Sequence, residues 1–493
     1  MKRLFTTVFI LLVLISPAFA SRELTVVYIN DTHGYVEPTV DSSGNSVGGF
    51  ARIATVVEDI MADKDNVLFL CGGDLLSGPA ISILFTGKVD VECLNQMGLT
   101  ACTLGNHEFD FGQDRLKELE ALAEFPFISS NVWVSAESAT FTKDRYFSPY
   151  LPDFDLPIVI YGLTTTETPT STDRQNVLGL EFLDPIAVSK KLLEYWGDKY
   201  PVIIALTHLG RENDDQLAQD VPRIDLIVGG HSHDAINPPD KVGDTVIVQA
   251  GEKGKYVGVI KLKFDKTGRI EKYESRLIPI DGSVAENPEV AGIIAPYAAE
   301  ANEQVSNVLG KALVAFDGER VNVRSQETNL GDLFADALRQ KLSTDIAFFN
   351  GGSIRTSFPA GNITLGRLME AFPYENHLVS MKLTGQQIKS ALTQSLTTNK
   401  GEGGFLQVSG LQVTADSSGN ILSVTCLGKP LSDTALYTIA LPSFLAYGGD
   451  KCDIFTQGKN VVETDYLIRD CLQEYIQALG TLTEPIGGRI VIK

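Results

Sequence analysis

From residue 24 onward the apolar positions fall in short unbroken runs, rich in β-branched residues, and each run stops abruptly at polar residues. LTVVYIN runs into Asp31-Thr32-His33, VLFLCGG into Asp74, and ACTLG into Asn106-His107. VIIAL runs into Thr207-His208, and LIVGG into His231-Ser232-His233. Such runs predict buried strands, and the stretches ARIATVVEDIMADK and DRLKELEALAEF between them predict helices. Alternation of this kind predicts layered α/β packing. Ligands of open α/β sheets gather where strands end, so five polar clusters at five strand ends predict one site.

The pattern changes near residue 285. Residues 285–315 predict an amphipathic connecting helix, and beyond it a second unit has its own helix (TNLGDLFADALRQKL) and strands (IAFFN, ILSVTCL, LYTIAL). The expected organisation is α/β throughout: a sandwich over 21–285, a linker helix over 286–315, and a C-terminal α/β domain over 316–493. Residues 1–20 stand apart. Lys2 and Arg3 precede an apolar run, then Pro17 and an Ala-Phe-Ala end, the pattern of a cleaved secretory signal. The mature chain is therefore expected to start near Ser21, periplasmic or secreted, with no stable membrane anchor.

Composition narrows the partners. The net charge is −21, or −23 without Lys2 and Arg3. Such a chain repels nucleic acid polymers, so an anionic ligand needs a local positive site. An oxidising compartment would permit pairs such as Cys93–Cys102 or Cys452–Cys471, while Cys71 reads as a buried free thiol. The absence of any CxxC argues against a thiolate metal site.

The six histidines supply the candidate chemistry. Five of them (33, 107, 208, 231 and 233) lie in the strand-end clusters, and only His377, a strand-entry residue, does not. Neutral imidazole is the commonest protein ligand for zinc-like metals, and carboxylates supply negative charge. The donors Asp31, His33, Asp74, Asn106, His208, His231 and His233 are too many for one open catalytic ion. They suit two divalent cations sharing a carboxylate. Zinc, manganese and iron all fit this mixed set of nitrogen and oxygen donors.

The ordered motifs DTHG, GGDLLSG, GNHEFDFG, THLGRE and GGHSHD resemble the calcineurin-like metallophosphoesterase domain of the 5′-nucleotidase family. That resemblance implies one metal on Asp31, His33, Asp74 and His233, and another on Asp74, Asn106, His208 and His231. It also implies a catalytic dyad of His107 and Asp110, and hydrolysis by metal-activated water. In the second half RVNVRSQETN, NGGSIR, PYEN, GFLQVSG and FLAYGGD resemble the family's nucleotide-binding domain. Phe444 and Tyr374 would then stack a base, Asn350 and Asp450 would bond base or ribose, and Arg320, Arg324 and Arg355 would hold phosphate or ribose oxygens. Glu375 departs from the family's usual turn. The resemblance further implies a hinge rotation between the domains. The expected activity is hydrolysis of nucleoside 5′-monophosphates. The alternatives are 2′,3′-cyclic nucleotides or 3′-nucleotides, UDP-sugars or other nucleotide pyrophosphates, and a non-catalytic nucleotide-binding protein.

Overall fold

The computed structural model describes residues 22–41, 43–64, 66–136, 139–374, 376–485 and 487–493. The export signal expected over 1–20 and the turn residue Glu375 lie outside them.

Two six-stranded sheets face each other in the N-terminal half. The first runs in the order 270–279, 256–264, 23–29, 67–71, 101–103, 127–128. The second runs 240–242, 245–248, 226–228, 202–208, 158–164, 146–147. Alternate residues of a strand point to opposite faces, which explains why these runs are apolar throughout. Val26, Tyr28, Leu68 and Leu70 meet Ile160, Ile204, Leu206 and Val228 between the sheets. Their neighbours Val27, Ile29, Phe69 and Cys71 pack outward in a core shared with helix Phe50–Asp63. Helices Pro185–Trp196 and Arg211–Asp220 cover the far face of the second sheet. Truncating one interior side chain, as in Leu206→Ala, should cost about 2–5 kcal/mol.

The connecting helix is Pro288–Val305. Asn287 caps it by accepting from the amides of Glu289 and Val290. Its Val290, Ile294 and Ala301 join the N-terminal core, while Val305 lies against Gly366 of helix Leu365–Ala371. The helix does not continue to residue 315 as its sequence pattern predicts. Val308–Ala312 is a strand instead, antiparallel to Gly361–Thr364 and parallel to Thr481–Leu482. The reason is tertiary: Gly310 admits the Gly480 carbonyl, which would lie 3.1 Å from any added Cβ.

The C-terminal half is built on a five-stranded sheet in the order 406–409, 346–350, 436–442, 377–384, 459–467. Helices Asn329–Leu342 and Ile468–Leu479 cover one face, and Gly385–Leu396 the other. All six cysteines are buried thiols, so neither disulfide considered from the sequence is formed; Cys71 instead sits beside Cys102 on the neighbouring parallel strand. Among the described residues no helix is long and apolar enough to cross a membrane.

Candidate functional site

The polar clusters gather at one end of the facing sheets. Asp31 follows strand Glu23–Ile29, Asp74 follows Val67–Cys71, and Asn106 follows Ala101–Thr103. His208 ends strand Val202–His208, and His231 and His233 follow Leu226–Val228. Five of these residues adopt left-handed backbone: Asp31 (φ 50°), His33 (46°), Asp74 (53°), His231 (82°) and His233 (63°). Each such residue costs on the order of 1–3 kcal/mol and persists only where its surroundings hold it. Here the turns clamp one another. The Asp31 amide donates to Gly73 O at 2.9 Å, and the His33 amide to Asp74 O at 3.0 Å. At Gly105 a Cβ would fall 2.1 Å from Asp74 Oδ1, so that turn requires glycine.

The side chains converge at short range. His33 Nε2 lies 3.1 Å from His233 Nε2, and His231 Nδ1 lies 3.2 Å from His208 Nε2. Asp31 Oδ1 is 3.3 Å from His233 Nε2. Asp74 Oδ2 is 3.1 Å from His208 Nε2 and 3.9 Å from His33 Nε2, within reach of both groups. Burial opposes ionisation of Asp74, yet His208 and His107 hold its carboxyl well below the usual range. Burial also drives the His33 imidazole down to about 3, which keeps the ring neutral with one nitrogen lone pair free, whereas nearby carboxylates override burial and raise His208 to about 10 and His233 to about 9. The Oδ1 of Asn106 is buried with no hydrogen-bond partner. Facing imidazole nitrogens, ionised buried carboxylates and an orphaned amide oxygen all call for cations, so the donor set fits divalent metal ions. Among the described residues three overlapping groups could hold an ion: Asp31, His33 and His233; His33, Asp74 and His107; and Asp74, His208 and His231.

His107 and Asp110 lie beside this cluster. His107 Nδ1 is 2.6 Å from Asp110 Oδ2. Burial alone would lower the imidazolium pKa, but Asp110 and Asp74 override it and hold the group above its ordinary value. Glu108, between them, turns away from the opening of the site. Its carboxylate accepts from the amides of Gly105 (2.5 Å), Asp74 (2.9 Å) and Leu75 (2.7 Å), tying the second and third turns together.

The candidate residues of the C-terminal half close over the cluster. Asp74, Asn106, His107, His231 and His233 share one cavity of about 480 Å³ with Arg320, Arg324, Asn350, Arg355, Tyr374, Phe444 and Asp450. The Tyr374 ring stacks on that of His107, with centroids 6.5 Å apart and planes 22° apart. Asn350 Nδ2 donates to Asp450 Oδ2 at 2.7 Å, and Ser353 Oγ donates to Asn350 Oδ1 at 2.9 Å. Arg324 Nε is buried with no partner. Burial, with Arg320 and Arg355 nearby, lowers its pKa. Asp31, His33, His208 and Asp110 among the candidates do not line this cavity; Asp110 lies behind His107 and lines a smaller cavity with Thr172 and Tyr374. Asp31 and His208 lie beneath it, fully buried, and His33 faces a second cavity.

Several contributing residues were not singled out by the sequence, although Ser77 and Glu108 lie within its motifs. Glu108 was visible within GNHEFDFG, but nothing in its spacing separates a backbone clamp from a ligand. Ser77 and Thr172 both donate to Asp110, at 2.5 and 2.9 Å. Glu252 Oε2 lies 3.3 Å from His233 Nδ1. Ser and Thr in polar turns carry no comparable signal.

Residues 24–235 match the model of the calcineurin-like phosphoesterases, and residues 305–457 that of the 5′-nucleotidase C-terminal domain. The 5′-nucleotidase of Homo sapiens is 30% identical over 96% of this chain and 92% of its own length. The chain belongs to the 5′-nucleotidase family. A crystal structure of a 5′-nucleotidase precursor from Thermus thermophilus superposes with a TM-score of 0.83 at 31% identity, covering 95% of this chain and 99% of that one. The trifunctional nucleotide phosphoesterase YfkN of Bacillus subtilis is 31% identical over 95% of this chain, which spans 35% of that protein's length. Membership of the 5′-nucleotidase family makes this protein a metal-dependent phosphoester hydrolase with the family's two-domain architecture.

Proposed function

We propose that this protein hydrolyses nucleoside 5′-monophosphates to nucleoside and phosphate. The observation that carries this reading is the single cavity joining the His and Asp cluster to the aromatic and arginine set of the C-terminal half. Asp31, His33, Asp74 and His233 would hold one divalent cation. Asp74, Asn106, His208 and His231 would hold a second, with Asp74 shared. When bound, such ions lower the pKa of water and offset phosphate charge.

The chain's own groups do the rest. Asp110 engages Nδ1 of His107, which leaves Nε2 for a phosphate oxygen and keeps the ring cationic as negative charge builds. Arg320, Arg324 and Arg355 would anchor phosphate or ribose oxygens. Phe444 and Tyr374 would stack the base, and Asn350 and Asp450 would bond base or ribose. We assign the chemistry to residues 21–285 and substrate holding to 316–493, and export to residues 1–20 on their signal pattern.

One observation favours a second substrate class. A further cavity of about 500 Å³ adjoins the first at His107 and Arg355, and is lined also by Tyr35, Lys253 and Glu370. It offers room for the distal group of a nucleotide pyrophosphate such as a UDP-sugar. A phosphate-release panel of AMP, UMP, 3′-AMP, 2′,3′-cAMP and UDP-glucose, with and without chelator, separates these. The highest kcat/KM on a 5′-monophosphate, abolished by chelator, supports the proposal. A higher value on the cyclic nucleotide or on UDP-glucose overturns it.

A further inference from the structure

The segment between strands Ile158–Thr164 and Leu180–Phe182 touches both halves of the molecule within two consecutive residues. Thr172 is 4% exposed, and its Oγ1 donates to Asp110 Oδ1 at 2.9 Å. Asp173 Oδ2 accepts from Ser443 Oγ at 2.7 Å, across the junction of the halves. Ser443 is fully buried, immediately precedes Phe444, and accepts in turn from the His377 amide at 3.1 Å. Thr172 and Asp173 are both extended, at φ/ψ of −123°/174° and −63°/126°. Successive side chains of extended backbone point to opposite sides. One therefore reaches the catalytic half and the other the nucleoside half.

The segment is braced on each side of this pair. Thr168 Oγ1 donates to Thr165 O at 2.8 Å, and Asp173 Oδ1 accepts from the Gln175 amide at 2.9 Å. Asn176 Nδ2 donates to Asp110 O at 2.9 Å. The Asp110 carboxylate is thus held at both oxygens. Oδ2 faces His107 Nδ1 and Ser77 Oγ, while Oδ1 takes Thr172. Without Thr172 the carboxylate is held only at Oδ2, which loosens it about χ2, a broad torsion, and loosens the imidazole it orients.

We propose that Thr172 and Asp173 form a docking relay, in which seating of the nucleoside half on Asp173 through Ser443 fixes Thr172 on Asp110 and so sets the orientation of His107. The relay rests on the assignment of His107 and Asp110 made above. Thr172 is a positioning residue that acts through Asp110. It makes orientation of the dyad conditional on contact between the two halves, a form of gating by domain closure.

The test measures kcat, KM and melting temperature with AMP for the wild type, Thr172→Val, Thr172→Ser, Ser443→Ala and the double variant Thr172→Val/Ser443→Ala. Thr172→Val should lower kcat by about tenfold or more, the scale of one hydrogen bond to a charged group, with KM changed less than about twofold. Thr172→Ser, which keeps the hydroxyl, should restore kcat. Ser443→Ala should lower kcat by about threefold to tenfold alone, yet add nothing in the Thr172→Val background. Fully additive losses, or a Thr172→Val enzyme with lowered melting temperature and unchanged kcat, overturn the relay. A wild type inert towards every nucleotide overturns the functional proposal itself, a different result from an active wild type with additive losses.

Discussion

The two walls of the cavity are unfinished in opposite ways. On the N-terminal wall the orphaned buried atom is an acceptor, Asn106 Oδ1; on the C-terminal wall it is a donor, Arg324 Nε. Around the first lie ionised carboxylates and facing imidazoles, and around the second lie Arg320 and Arg355. One wall calls for cations and the other for an anion, and a phosphate ester between metals and guanidinium groups satisfies both. The walls also differ in how their turns are held. The metal-side turns hold five residues in left-handed backbone and are laced by main-chain bonds and by Glu108. The nucleoside side is tied through Asn350 to Asp450 and Ser353, and through the Gly351 and Gly352 amides to Phe405 O and Gly403 O. The first wall sets carboxylates and imidazoles around the cavity, and the second sets aromatic rings and guanidinium groups around it.

The largest expected effect that sharpens this contrast is at His107. His107→Ala should lower kcat by about 10²–10³, the cost of removing one group that stabilises transition-state charge. Metal content by elemental analysis should stay at the wild-type level, because Asp74 and the other histidines remain. A variant of unchanged turnover would refute the role, and one that lost metal would make His107 a ligand. On the opposite wall, Phe444→Ala should lower kcat/KM for AMP by about tenfold to a hundredfold, since a base–aromatic stack contributes about 1–3 kcal/mol. Hydrolysis of p-nitrophenyl phosphate, which has no base, should fall far less. Equal losses on both substrates would mean that Phe444 supports the metal side rather than the base, and the contrast between the walls would fail.

The metal wall was the more legible in sequence because metal chemistry admits few residue types. A histidine or aspartate after a buried apolar run has few other reasons to be there, and five such runs pointed to one place. The strand and helix runs of both halves were equally plain, as buried segments leave an unbroken apolar signature. What stayed hidden depended on distant partners. The helix ending at Val305 could not be read locally, because strand Val308–Ala312 pairs with segments around residues 361–364 and 481–482. Thr172 and Asp173 look like ordinary turn residues, whose types recur in any polar loop. Folding of the N-terminal half brings Asp110 to Thr172, and the meeting of the two halves brings Ser443 to Asp173. The arginines carried a weaker message than the histidines, since a surface arginine needs no explanation until two others stand beside it.

The smallest of these effects probes how far the metal wall is over-determined. Glu252 Oε2 lies 3.3 Å from His233 Nδ1, while its Oε1 accepts from Lys255 Nζ at 2.7 Å. His233 and the two lysines hold the Glu252 carboxyl well below its usual range. A carboxylate behind a ligating imidazole fixes the ring and raises its basicity, and losing one typically costs 10–100-fold in metal affinity. Here the ring is also constrained by Asp31 and by its neighbour His33, so Glu252→Gln, which keeps the shape and removes the charge, should sit at the low end. Titration of the metal-stripped variant with zinc should show affinity about tenfold weaker, with kcat at saturating metal close to wild type. A loss of a hundredfold or more would mean that the wall depends on single contacts after all. No change would mean that the backbone turns alone set the ring, making the rigidity of this wall a property of its main chain.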